Sequence, residues 1–275
     1  MTPDTRTAGI NRENRTLLER LHREMPGAFD VDRAAKALCV EPARARQLLA
    51  YLARRGWLSR IRRGLYVAVP LDSRRPGEWT EDPWIVAERT FAPCYIGGWT
   101  ACEHWGFTEQ TFRTVLVMTA KKVRDRDQEL QGIRYRLAVR SENKFFGTSP
   151  VWRSQVRVQV SDPARTMVDV LDDPTLGGGM RNVADMIHEY LASEHRSDDQ
   201  LVDYGDQLGN GAVFKRLGFV VEHLGIDAPD LVTACKNRRS AGLITLDPSV
   251  RATGRIVRRW GIRANVTLGT PGGDW

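Results

Sequence analysis

The sequence predicts an α+β protein in two parts, a small N-terminal unit of three helices and a β-hairpin followed by a larger mixed α/β unit. Three observations predict it. Helix-start and helix-stop residues alternate three times over residues 11–56. A basic, glycine-punctuated stretch at 53–69, ARRGWLSRIRRGLYVAV, has the alternation of two short strands, and at 72–83 (DSRRPGEWTEDP) two prolines and a glycine interrupt all periodicity. Beyond that break, helix and strand signals mix without the regular alternation of a doubly wound sheet. The expected domains are therefore 1–80 and 81–275 of a 275-residue chain, at about 100–200 residues per domain.

In the N-terminal unit, Leu17, Leu18, Leu21 and Met25 recur at helical spacing over 11–25, and Pro26-Gly27 ends the helix. Asp30 suits the cap of a short second helix whose apolar residues are Ala34, Ala35 and Leu38, closing at Cys39-Val40-Glu41. Pro42 fits the first position of a third helix and Gly56 its left-handed stop. On this third helix Ala45, Leu48, Leu49 and Leu52 form one stripe, and Arg44, Gln47, Tyr51 and Arg54 form another, because steps of three and four residues return to the same face. Strands are expected at 57–61 and 65–69, joined by Arg62-Arg63-Gly64 with the glycine at positive φ. Helix, helix, recognition helix and basic hairpin is the order of a winged helix-turn-helix.

The charge distribution gives that order a chemical meaning. Residues 1–80 hold 16 Lys/Arg against 9 Asp/Glu, whereas 81–275 hold 25 of each, so the whole net charge of +7 resides in the first unit. Over 43–76, nine arginines meet one acid, Asp72. Positive charge concentrated on one small unit is the electrostatic footprint of a nucleic-acid binder, although a merely solvated face is the alternative. The outer stripe of the third helix offers guanidinium, amide and phenol groups, which read base edges and hold phosphates in a major groove. The hairpin-tip arginines suit the minor groove or its phosphates. The expected contacts to double-stranded DNA are Arg44, Arg46, Gln47, Tyr51, Arg54, Arg55, Arg60, Arg62 and Arg63.

In the second unit, helices are expected at 84–91 and 99–105, a strand end at 95–98, and strands at 115–119, 133–139 and 156–160. Ser161-Asp162-Pro163 starts a helix to about residue 171, with Met167, Val168, Val170 and Leu171 turned to a core. Gly177-Gly178-Gly179 then breaks the chain before helices at 180–191, 198–208, 212–224 and 230–237, and short strands return at the end. Trp84, Trp99 and Trp105 read as core residues. The basic run Arg251, Arg255, Arg258 and Arg259 is compatible with DNA, a partner or water.

Composition narrows the class. With 41% hydrophobic and 27% charged residues the chain reads as an ordinary globular protein. No apolar run reaches the roughly 18 residues of a membrane span, and the polar start (1–15) lacks the apolar core of a signal peptide, so no membrane contact and a cytoplasmic location are the default. Cys39, Cys94, Cys102 and Cys235 form neither a disulfide framework nor a CxxC pair; Cys94, Cys102 and His104 supply only three metal ligands, so no metal and no cofactor are expected.

The segments RRGLYVA, YIGGWTACEHWGFTEQ, VQVSDPARTMVDVLDDPTLGGG and GLITLDPSVRATGRIVRRWGIRANVTL together resemble the AbiEi family of antitoxins, from bacterial type IV toxin–antitoxin (abortive infection) systems. The likeness extends over nearly the whole chain, apart from the region 121–131. It implies a non-enzymatic protein of phage defence. Its N-terminal domain would repress its own operon by binding promoter DNA, and its C-terminal domain would counteract a nucleotidyltransferase-like AbiEii toxin. Two other readings stand beside it. One is a winged-helix repressor of an unrelated target. The other is a metal-dependent nuclease built on the ExK spacing of Glu142 and Lys144, with Asp125 or Asp127 upstream. Those aspartates sit in an arginine-rich stretch and not at the end of an apolar strand, and Asp125-Arg126-Asp127 precedes Gly147-Thr148-Ser149, the reverse of a nucleotidyltransferase order. His104, His188, His195 and His223 have no catalytic context.

Overall fold

The computed structural model describes residues 11–70, 73 and 79–269; of the polar start and the expected break, residues 1–10, 72 and 74–78 lie outside the described residues. The first helix, α1 (Arg12–Glu24), begins where the Asn11 side chain accepts the Asn14 N–H, and it buries Leu18 and Leu21. Asp30 caps α2 (Val31–Leu38) by accepting the Arg33 N–H at 2.8 Å, the role its position predicts. Pro42 opens α3 (Pro42–Arg54), which buries Ala45, Leu49 and Leu52 and stops before Gly56 at φ +78°.

A two-residue strand, β1 (Phe29–Asp30), was not legible because it overlaps the cap of α2; it pairs with the second strand of the hairpin. The hairpin itself is β2 (Leu58–Arg62) and β3 (Leu65–Ala68), giving the order β1-β3-β2. Its connection is tighter than the three residues predicted. Arg62 pairs with Leu65, the register shifts between Arg60 and Arg62, and Arg63-Gly64 alone turn the chain, with Gly64 at φ +80°.

The rest of the chain is built on a six-stranded mixed sheet, order β6-β7-β5-β4-β9-β8. Its strands are β4 (Cys94–Ile96), β5 (Thr114–Thr119), β6 (Asp127–Leu130), β7 (Ile133–Val139), β8 (Thr148–Arg153) and β9 (Val156–Ser161). The pairs β5–β7 and β4–β9 are parallel, the others antiparallel. Helices α4 (Pro83–Phe91), α5 (Gly98–His104), α6 (Pro163–Asp172) and α7 (Met180–Ala192) follow the predicted order. So do α8 (Asp198–Leu208), α9 (Gly211–His223) and α10 (Pro229–Arg238). A small sheet of β10 (Ile244–Thr245), β11 (Arg255–Val257) and β12 (Ile262–Ala264), order β10-β12-β11, ends the described chain. With ten α-helices and three sheets among the described residues, the protein is a mixed α+β structure.

The most distinctive sequence segments serve this architecture. Gly98, at φ +50°, lies so close to Leu116 and to the Leu176 carbonyl that a Cβ would fall within 2.5 Å of both. Asp162 caps α6 on the Arg165 N–H and also accepts the Tyr204 hydroxyl at 2.8 Å. Asp247 caps α7 from 67 residues away, accepting the Met180 N–H at 2.7 Å, and Asn265 holds the Asp247 backbone through 2.7 and 3.0 Å hydrogen bonds. The glycine run at 177–179 and the LDPS segment are therefore two sides of one helix start.

One core cluster joins the two parts of the chain. Ala28, Ile61, Leu65 and Val67 pack with Trp84, Ile85, Val156 and Val158, while Leu58 and Tyr66 pack on α1–α3. The hairpin is thus buried on both faces, held between the N-terminal helices and the large sheet. The Gln131 amide adds a 2.7 Å hydrogen bond to Ser59 Oγ.

Candidate nucleic-acid interface

The apolar stripe of α3 faces α1 and α2, so its opposite side is left to solvent, and Arg44, Arg46, Gln47 and Arg54 are all exposed there. Tyr51 is half-buried, with the Arg55 guanidinium 5.5 Å from its ring centroid. On the hairpin beside this helix, Arg60, Arg62 and Arg63 are exposed as well.

The structure places five of these residues in two concavities, whereas Tyr51, Arg54, Arg55 and Arg62 line neither. Arg46, Ala50, Arg60, Arg63 and Gly64 line one concavity of about 780 Å³, in which Asp30 and Asp32 also stand. Three guanidiniums against two carboxylates leave it cationic, and the Asp30 carboxylate is already engaged at the α2 cap. Arg44 and Gln47 line a second concavity of about 1060 Å³ at the α2–α3 turn, together with Lys36 and Cys39. Lys36 is not singled out by the sequence because it precedes the turn; it is an exposed base on α2, one turn after the charged Asp32 and Arg33.

Arg44 Nη2 ion-pairs with Glu13 at 3.1 Å, but both side chains are about two-thirds exposed, so a phosphate can compete for it. Arg60 Nε donates to the Arg62 carbonyl at 3.4 Å, which braces the hairpin end. Arg46, Arg54, Arg62 and Arg63 form no side-chain hydrogen bond or ion pair with any described residue. Free guanidiniums on a helix and an adjacent tight turn can hold two stretches of a polyanion backbone at once.

Two residues of the rival chemistries are engaged elsewhere. Glu142 and Lys144 form a short 3₁₀ turn, and Lys144 Nζ donates to the Leu208 carbonyl at 2.6 Å, closing the end of α8. Asp127 ion-pairs with Arg136 across β6 and β7. Burial pushes the Cys94 and Cys102 thiols far up. Among the described residues no three His, Cys, Asp or Glu side chains gather as a metal site. No helix among them is long and apolar enough to cross a membrane.

No protein-family model matches the chain, and no curated protein matches it. Among solved structures, the RV2827C protein from Mycobacterium tuberculosis is similar in fold, with a TM-score of 0.60 over 95% of this chain and 94% of that one, at 13% sequence identity. At that identity the likeness is one of fold alone.

Proposed function

We propose that this chain is a DNA-binding antitoxin. The three helices and hairpin act as a winged helix-turn-helix on the promoter of its own operon, and the remainder counteracts a nucleotidyltransferase-like toxin of the AbiEii type. The observation that carries the DNA-binding half is the cationic groove between α3 and the hairpin. In it Arg46 on the helix and Arg60 and Arg63 on the hairpin converge, within the unit that carries the whole net charge. The antitoxin half rests on the resemblance of the SDPARTMVDVLDDP, GGG and LDPS segments to the AbiEi family.

Gel-shift titration of the full chain against its upstream duplex tests the first half. Arg60→Ala with Arg63→Ala should weaken binding to every sequence and flatten its salt dependence, since each phosphate left without its arginine lowers the slope by about one unit. Gln47→Ala should instead erode discrimination by about 1–3 kcal/mol for each base it reads. Full affinity in the arginine double variant overturns the groove assignment. Growth rescue of cells expressing an AbiEii-type toxin tests the second half; repression without rescue would leave a plain repressor.

A further inference from the structure

The C-terminal sheet presents a second concentration of charge that the proposed function does not use. Residues 236–263 hold eight Lys/Arg and one acid, Asp247, which is buried as the cap of α7. Residues 172–235 hold twelve Asp/Glu and four bases. Those four are all committed. Lys215 and Arg216 are buried against backbone carbonyls, Arg181 donates to the Thr267 carbonyl, and Arg196 pairs with Asp198. The two regions neutralise each other only in part, through Glu222 with Lys236 and Arg259, and Asp206 with Arg238. Arg239, Arg251, Arg255 and Arg258 on one side, and Asp185, Glu194, Asp199 and Asp203 on the other, are exposed and ion-pair with no described residue.

The basic surface also carries aliphatic side chains. Leu243, Val250 and Ile256 are 47%, 42% and 44% exposed, and with Trp152 they are the exposed large hydrophobics of the described chain. Ile256 lies opposite Arg263 across β11 and β12, so an apolar and a cationic group share one face of the sheet. Bases bind such a face poorly, because single-stranded nucleic acid asks for aromatic stacking platforms. An acidic protein surface fits it, and the same chain carries one on α8, where Asp199 and Asp203 are exposed one helical turn apart.

We propose that the basic face of the C-terminal sheet docks onto the acidic face of α8 in a second copy of this chain. Such an interface is heterologous, head to tail, with Leu243, Val250 and Ile256 losing water at its centre and the unpaired arginines meeting Asp199 and Asp203 at its rim.

Sedimentation velocity of the full chain over a concentration series tests it. The wild type should associate in a concentration-dependent way, less so as salt shortens the reach of charge from about 8 Å to about 3 Å. Arg255→Glu with Arg258→Glu should abolish association, as should Asp199→Lys with Asp203→Lys. An equimolar mixture of the two folded variants should restore it, because each brings one intact and one reversed face; circular dichroism checks the folding of both. A chain that stays monomeric at every concentration overturns the proposal. So does association that survives both reversals, or a wild-type monomer that binds a single-stranded RNA oligomer which the arginine variant does not bind.

Discussion

Asp247 is the residue on which two distant segments meet. Burial pushes its carboxyl up, but the Ser249 hydroxyl and N–H, the Met180 N–H and the nearby Arg216 outweigh that and hold it below the ordinary carboxylate value. A lowered folded-state pKa means that the carboxylate stabilises the fold above its unfolded pKa, and that this contribution is lost as pH falls through the folded one. Asp247→Asn keeps a cap oxygen and removes only the charge, so it should cost about 0.3–1 kcal/mol at neutral pH, the range of an anion at a helix N-terminus. The deficit relative to the wild type should shrink below about pH 4. Urea denaturation of both proteins across that range measures it; an equal deficit at every pH would show that the charge contributes nothing. Arg165 and Asp169 are structural in the same sense. They pair at 2.9 Å with no solvent contact, the Tyr95 hydroxyl donates to Asp169 at 3.0 Å, and the guanidinium lies 4.0 Å from the Phe146 ring centroid. The DPARTMVD segment is distinctive because it encloses an ion pair, a cap and a core stripe within one helix.

At the scale of elements, α9 and the C-terminal sheet meet most tightly at Gly218. A Cβ on Gly218 would come within 2.1 Å of the Trp260 ring, whose Nε1 donates to Glu222 at 2.7 Å on the same helix. Gly218→Ala gains helix propensity of about 1 kcal/mol but must push the indole out of a fully packed site, at about 1–3 kcal/mol or more. The net effect should be destabilising, with lower thermal stability and a changed tryptophan emission; a more stable variant would mean that the sheet docks loosely. The same contrast between local and tertiary cause explains what the sequence made legible. Helices could be read because their signals are local: Asp30, Pro42 and Pro163 each sit at the helix start they predict. The strands that escaped notice are those whose pairing partner defines them. β6 is the polar DQEL at a sheet edge, β8 contains Pro150, tolerated because that strand is the other edge, and β11 is three residues long. The candidate site divides likewise. The outer stripe of α3 followed from helical spacing, whereas the sharing of one groove by Arg46, Arg60 and Arg63 depends on how the hairpin packs.

For the whole molecule, charge and packing divide the chain differently. Charge separates it near residue 80, since everything beyond carries 25 bases against 25 acids. Packing does not, since Ala28, Ile61, Leu65 and Val67 belong to the same core as Trp84, Ile85 and Val156. Gly27 presses closest at this seam: a Cβ there would lie 2.9 Å from Ile85 and 3.0 Å from Val156. A hairpin clamped from behind fixes the backbone that carries Arg60 and Arg63, so a polyanion bound there would have only their side chains to order. The clamp also means that a cut between 80 and 81 exposes apolar surface on both pieces. A fragment of residues 81–275 retains the cluster around Met167, Val168, Val170 and Leu171, so it should fold, but it should melt below the intact chain and bind an apolar dye that the intact chain excludes. Lacking the groove of Arg46, Arg60 and Arg63, it should also lose the salt-dependent affinity for duplex DNA of the intact chain. Differential scanning calorimetry with dye binding, followed by gel shift, separates these effects. A fragment as stable and dye-free as the whole chain would mean that the seam carries no energy and that the hairpin is held by the N-terminal helices alone; a fragment that binds duplex as the intact chain does would move the nucleic-acid surface out of the first 80 residues altogether.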